Sequence, residues 1–207
     1  MSDRAIDVAN EGLDVAFVLG ELKDSNLRVR TVAECRRVLC ASPSYVERCG
    51  YPKDGKALVD GGHDCLMLRF PGASEFQWTL QTKRGRSRYA VTGPFEADDG
   101  DVLTSWALDG RGIVNKPYFE VSDHLASGRL VEVAERTPPV PIQLACLFPH
   151  KRLQDPKSRL FIDHMVEHCR RALAQTNNQR SAISSPDKSN SRKARAKAAH
   201  DNEPMGR

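Results

Sequence analysis

No stretch of the 207 residues stays apolar for the roughly 20 residues that a bilayer-spanning helix needs. The start of the chain also lacks the charged-then-apolar pattern of an export signal. The six cysteines, at 35, 40, 49, 65, 146 and 169, include no CxxC pair, and several sit inside apolar runs. With no export signal they read as reduced, buried thiols, and the chain reads as cytoplasmic. Internal repeats are absent. So is a basic excess in the body: residues after 175 hold seven Lys/Arg against three Asp/Glu, and residues 1–175 hold 24 of each sign. The net charge of +4 is therefore the tail's, and the body carries no overall electrostatic footprint for nucleic acid. The tail, residues 176–207, is rich in Ser, Asn, Lys and Ala without an apolar period, and it is expected to be disordered.

What remains is an alternation of helix and strand in a chain long enough to bury a core. The most informative stretch runs from Glu96 to Pro117. Val102, Leu103, Trp106 and Leu108 give an apolar helical face, Asp99 or Gly100 the N-cap, and Gly110 the left-handed stop. Gly112-Ile113-Val114 reads as a short buried strand, and Pro117 as the first residue of the next helix. Free N–H groups of residues 100–102 would then form an anion perch. Asn115 is expected to cap the helix at Pro117, with a hydrogen bond to a ligand as the alternative.

The other elements follow from the same signals. Ala5 to Leu13 predicts a short amphipathic helix, and Val15 to Leu19 a buried strand. The polar loop Gly20 to Ser25 lies just past that strand's carboxyl end, where open α/β sheets bind ligands. Arg28–Val32 and Arg37–Ala41 read as strands, and Ser42-Pro43 caps a helix running to Gly50. Cys65–Phe70, Phe76–Gln81 and Ser87–Thr92 are expected strands, the last two joined by a turn at Lys83–Arg86. A helix over Pro117–Ala126, a strand over Leu130–Val133 and a rigid Pro138–Pro141 connection follow. A strand over Ile142–Phe148 and a long helix over Pro156–Ala174 complete the body. That helix is assigned an apolar face of Leu160, Phe161, His164, Met165, Cys169 and Leu173.

Three catalytic readings present themselves, and each has a plainer counterpart. His164-Met165-Val166-Glu167-His168 spells HxxEH, two imidazoles on one helical face as zinc requires, but a third ligand should come from a downstream helix. A core or rim histidine is favoured. His63-Asp64-Cys65 suggests a base beside a thiol, yet neighbours on a strand point to opposite faces, so a strand start is favoured. Asp98, Asp99 and Asp101 lack the Gly-punctuated loop of a calcium site, and helix capping accounts for them. No catalytic residue, metal site or cofactor is assigned.

The order of the pieces carries a resemblance. Asp3-Arg4…Glu11-Gly12-Leu13-Asp14-Val15-Ala16…Gly20-Glu21-Leu22…Asp24-Ser25 is followed by Arg36-Arg37-Val38-Leu39-Cys40-Ala41-Ser42-Pro43-Ser44-Tyr45. Then come Asp98-Asp99-Gly100, Gly110-x-Gly112-Ile113, Leu125-Ala126-x-Gly128-Arg129-Leu130-Val131, Pro149-His150-Lys151-Arg152 and Pro156-Lys157-x-Arg159-Leu160-Phe161-Ile162-Asp163. Together these blocks resemble the effector-binding domain of LysR-type transcriptional regulators, over about residues 3–173.

The resemblance implies an α/β fold of two periplasmic-binding-protein-like (type 2) lobes. Lobe one would comprise residues 1–41 and 139–175, and lobe two residues 42–138, with crossings near Arg36–Ala41 and Pro138–Ile142. A small organic effector would bind between the lobes. Gly20, Glu21 and Leu22 would face it from lobe one; Arg69, Phe70, Asp98, Asp99 and Gly100 would face it from lobe two. Arg69 and the helix start suit an anionic effector. The family begins with a winged helix-turn-helix and the start of lobe one, neither of which precedes Met1, so the expectation is a truncated regulator with an incomplete first lobe. DNA would be bound only through that missing part, the intact family would form homo-oligomers, and no membrane is involved. A solute-binding protein of the same fold and a zinc hydrolase on the HxxEH pattern are the alternatives.

Overall fold

The computed structural model describes residues 12–20, 27–69, 77–149 and 155–183, with side chains of the last segment described through residue 176. The expected helix over Ala5–Leu13 lies almost wholly outside these residues. Gly12 and Leu13, which are described, are not helical.

The first sheet is three-stranded and antiparallel. It orders β1 (Ala16–Gly20), β10 (Ile142–Phe148) and β2 (Arg28–Cys35) with β10 central. Gly20 lies opposite Gln143 and Cys35 opposite Ile142, so the carboxyl ends of β1 and β2 meet the amino end of β10. One face is covered by α5 (Pro156–Ile183), which buries Ile162 and Val166 against Val32, Cys146 and Phe148. Full burial of each such side chain contributes about 1.5–3 kcal/mol. Arg170 fastens the helix by donating from Nε to the Val32 carbonyl at 2.9 Å and from Nη2 to that of Thr31 at 3.1 Å. The helix differs from its sequence reading in two ways. It runs past Ala174 to Ile183, into the stretch expected to be disordered. Its buried stripe is Ile162, Val166 and Cys169, whereas Leu160 is 73% and Phe161 51% exposed. The 3.6-residue period favours the first set, because Leu160 and Phe161 begin an arc that continues into His164 and His168, both exposed.

The second sheet has five strands: β7 (Glu96–Ala97), β4 (Cys65–Leu68), β8 (Ile113–Pro117), β3 (Arg37–Ala41) and β9 (Val131–Val133), in that order. The β7, β4 and β8 strands are parallel, and β3 runs antiparallel to β8 and β9. Strand alternation splits its side chains between two cores. Leu39, Ala41, Cys65, Met67, Ile113 and Val133 pack with Tyr45, Leu58, Trp78 and Leu80. Tyr45 comes from α1 (Pro43–Cys49), Leu58 from α2 (Gly55–Asp60), and the last two from β5 (Gln77–Thr82), which pairs with β6 (Gly85–Ala90). On the other face Val38, Cys40, Leu66 and Val114 pack with α3 (Gly100–Leu108) and α4 (Tyr118–Ala126).

Local chemistry sets the helix boundaries. Ser42 accepts from Tyr45 N at 3.3 Å, Asp54 from Ala57 N at 2.9 Å, and Asp99 from Asp101 N at 2.8 Å. Gly110 follows α3 with φ of 76°, a conformation that favours glycine. Pro117 closes β8 and stands at the N-cap of α4 with extended backbone, so the helix begins one residue later than its sequence suggests. The chain passes from the first sheet to the second through Arg36 alone, and returns through residues 134–141, which lie beside β5.

Candidate functional site

The carboxyl ends of the parallel strands β7, β4 and β8 all point to the edge of the second sheet where the chain crosses over. Ligands bind at such ends in open α/β sheets. Alternation from the paired residues places Glu96, Arg69, Asn115 and Arg37 on the face that, further down, carries Met67, Ile113 and Leu39. At this end the apolar core gives way to charged and amide side chains.

Arg69 directly follows β4 and is held there by its N–H, which donates to the Ala97 carbonyl at 2.7 Å. Its guanidinium pairs with the Glu96 carboxylate one strand over, and its side chain is 60% exposed. Asp98 is exposed and Gly100 buried. Asp99 turns its carboxylate onto the start of α3, accepting from Asp101 N at 2.8 Å and Val102 N at 3.3 Å. Two of the amides expected to form an anion perch are thus occupied by the helix's own cap. Gly20 ends β1 opposite Gln143, whose Nε2 lies 3.5 Å from Glu34 Oε2, at the crossover end of the first sheet. Glu21, Leu22 and Phe70 lie outside the described residues.

Asn115 corrects its sequence reading. It does not cap α4, whose N-cap makes no side-chain hydrogen bond; its Oδ1 is buried with no hydrogen-bond partner among the described residues. Leaving such a group unpaired costs about 1–3 kcal/mol. Glu96 was not anticipated, because a two-residue strand leaves no alternation to read.

At the crossover itself, Arg36 pairs with Glu132 of β9, lies over the Tyr118 ring at 5.5 Å, and accepts from Tyr118 N at 2.9 Å through its carbonyl. Burial pushes the Glu132 carboxyl up, opposed by the Arg36 charge and hydrogen bond. The HxxEH histidines stack with ring centroids 6.5 Å apart on exposed helix surface, and no group of three metal-ligating side chains occurs among the described residues. The thiol of Cys65, where β4 starts, is pushed up to about 12 by burial, and His63 is buried against Tyr45 with its pKa lowered by desolvation. Neither is suited to nucleophilic work. A cavity of about 490 Å³ lies away from this edge, between β2 and α5, lined by Arg30, Arg159, Ile162 and Asp163.

An α/β chain of two sheets joined by two crossings, with polar side chains gathered at the crossing edge, has the architecture of a periplasmic-binding-protein-like (type 2) sensor domain. The chain belongs to the LysR substrate binding domain family, which it matches over residues 1–170. It is 36% identical over 134 residues to the HTH-type transcriptional regulator DmlR of Escherichia coli, covering 64% of this chain and 43% of DmlR. It is 31% identical to the regulator CrgA of Neisseria meningitidis, covering 80% and 54%. The CrgA regulatory domain superposes with a TM-score of 0.66 at 30% identity over 77% of each chain. The full-length Vibrio cholerae virulence activator AphB gives 0.67 at 30% identity, over 81% of this chain and 56% of AphB. The chain spans about half the length of the curated relatives it matches. No helix among the described residues is long and apolar enough to cross a membrane.

Proposed function

We propose that this chain is the sensing part of a LysR-type transcriptional regulator and binds a small anionic effector at the crossover edge. Residues 1–41 and 139–175 form one lobe and 42–138 the other, with the effector between them. The observation that carries the reading is Arg69, a donor for a carboxylate, on one sheet face with Asn115, whose buried Oδ1 has no hydrogen-bond partner among the described residues and would accept from a hydroxyl or N–H of the same effector. Arg69 supplies a planar fork that exchanges Glu96 for the effector's carboxylate. Gly20, Glu21 and Leu22 border the site from the first lobe, and Phe70, Asp98, Asp99 and Gly100 from the second. The role of Asp99 and Gly100 is to fix the start of α3 beside the fork, since the first α3 amides are capped already.

Binding acts as a population shift: an effector that touches both lobes favours the lobe arrangement in which those contacts coexist. The regulator works in the cytoplasm as an oligomer. No residue of this chain is assigned to reading bases. The test is a calorimetric titration of the chain against small mono- and dicarboxylates, repeated with Arg69→Ala and Glu96→Gln. Removing Arg69 should weaken a bound acid by about 1.5–3 kcal/mol, roughly 10- to 150-fold. Removing the competing carboxylate by Glu96→Gln should tighten it. Unchanged affinity in a folded Arg69→Ala variant, or binding only of neutral compounds, refutes the assignment.

A further inference from the structure

Residues 77–95 contain Lys83, Arg84, Arg86 and Arg88 and not one Asp or Glu. The four cations fall on the β5–β6 hairpin, all are exposed, and none makes an ion pair among the described residues. In a body whose charges balance, this is a concentrated and unneutralised positive surface. We infer that the outer face of this hairpin docks on the phosphate backbone of duplex nucleic acid, outside the effector site.

The ribbon has two different faces and is anchored on one of them. Trp78 and Leu80 are 3% and 0% exposed and root it in the core; Gln81 N donates to the Pro138 carbonyl at 2.8 Å and Val140 N to that of Thr79 at 3.1 Å. The chain beside β5 thus ties one edge, and β6 with its arginines forms the other. At the tip, Thr82 donates from Oγ1 to the Gly85 carbonyl at 2.8 Å and accepts from Arg84 N at 3.2 Å. Register sets Gln81 opposite Arg86 and Thr79 opposite Arg88 on the outer face. The two arginines stand about 7 Å apart along the strand, with Lys83 and Arg84 beyond them at the turn. The face therefore offers guanidinium forks interleaved with Gln and Thr, groups that bind phosphate oxygens and sugars.

A membrane fits this face less well. Its outward positions, Gln77, Thr79, Gln81, Arg86, Arg88 and Ala90, include no large apolar or aromatic side chain to enter a headgroup layer. A two-stranded ribbon also matches the width of the major groove, about 12 Å, and can track its rim without reading bases. Each neutralised phosphate steepens the salt dependence of binding by about 0.9 in log K against log salt, so four contacts predict a slope contribution of about −3.6.

The test is fluorescence anisotropy of the 207-residue chain on a mixed-sequence 25-base-pair duplex across a salt series. The wild type is compared with a variant in which Lys83, Arg84, Arg86 and Arg88 are all Gln, the basic tail being unchanged in both. The variant's slope should be shallower by about 3–4, with binding weakened at least 100-fold at low salt. The charge-retaining variant Arg84→Lys/Arg86→Lys/Arg88→Lys should keep the wild-type slope. An unchanged slope in the Gln variant would assign any binding to the tail, and equal loss in the Lys variant would assign it to damage of the ribbon; either overturns the proposal. So would no duplex binding at low salt, or hairpin-dependent binding to phosphatidylserine–phosphatidylcholine vesicles tighter than to DNA.

Discussion

Removing either partner of the Arg36–Glu132 pair should destabilise the chain by about 2–3 kcal/mol, and the pair should show strong coupling in a double-mutant cycle. Arg36 is the single residue between β2 and β3, and its side chain reaches β9. The two side chains are 30% and 15% exposed, between the limits for which magnitudes are known. Exposed pairs contribute about 0–1 kcal/mol, while removing one partner of a fully buried pair costs about 3–5. Arg36→Ala also forfeits the contact with the Tyr118 ring, roughly 1 kcal/mol at this depth. Glu132→Ala leaves the guanidinium half-covered with one nitrogen, Nη1, already buried and unbonded among the described residues. Urea unfolding of wild type, both single variants and the double variant gives the coupling directly. A coupling of about 1–2 kcal/mol is expected, which leaves the double variant worse than Arg36→Ala by no more than about 2. Coupling below about 0.3 kcal/mol would show that solvent screens the pair and that it does not brace the crossover.

Tyr45→Phe removes the hydroxyl that accepts from Asp64 N at 2.9 Å and meets His63 Nδ1 at 3.3 Å, and should cost about 1–3 kcal/mol in urea unfolding. His63 contributes a pH dependence of known sign. Burial lowers its pKa, so the unfolded chain takes up the proton first; stability is complete above the unfolded value of about 6.5 and declines as pH falls from there toward the folded value. His63→Gln should flatten that part of a stability-versus-pH curve. A Cβ at Gly93 would stand 2.0 Å from the Cys65 carbonyl oxygen, so Gly93→Ala should displace the start of β4 and lower the thermal midpoint by more than any exposed substitution. Leu160→Ser and Phe161→Ser, on the outer arc of α5, should change stability by no more than about 0.5 kcal/mol in a monomer.

Boundaries written in capping chemistry were legible from the sequence. Ser42-Pro43, Asp99 and Gly110 each fix a helix end by a short-range hydrogen bond or a backbone preference, and each stands where expected. The α2 helix escaped notice because its six residues start with Gly55 and span too few turns to show a period. A Cβ at Gly55 would lie 2.6 Å from Leu80 Cδ1, so a larger residue there would displace the Leu80 and Tyr89 side chains, a constraint set by strands distant in sequence. The α5 face was misphased for a related reason. Apolar and aromatic residues on more than one side of the helix support more than one stripe, and only the partners Val32, Cys146 and Phe148 decide which is buried. The candidate site shows the same division. Arg69 and Asp99 could be placed from order along the chain, but the Glu96–Arg69 pair depends on β7 lying parallel to β4, a choice made by tertiary packing.

Pairing of Arg69 with Glu96 also bears on how an effector could act. With no effector bound, the Arg69 guanidinium is paired with the Glu96 carboxylate of the neighbouring strand. An anionic effector supplies the same compensation from a molecule that can touch both sheets, whereas Glu96 belongs to one. The free-energy difference between the two states of the site then lies in contacts across the crossover, which is what a ligand needs in order to bias lobe geometry. Arg36 and Glu132 stand on the opposite face of the same strands, so they brace the crossing segment without competing for the effector. On this argument Glu96→Gln should tighten effector binding while changing urea stability by no more than about 1 kcal/mol, since the Arg69 side of the pair is 60% exposed. A variant that instead loses both affinity and stability would show that Glu96 shapes the site rather than occupying it.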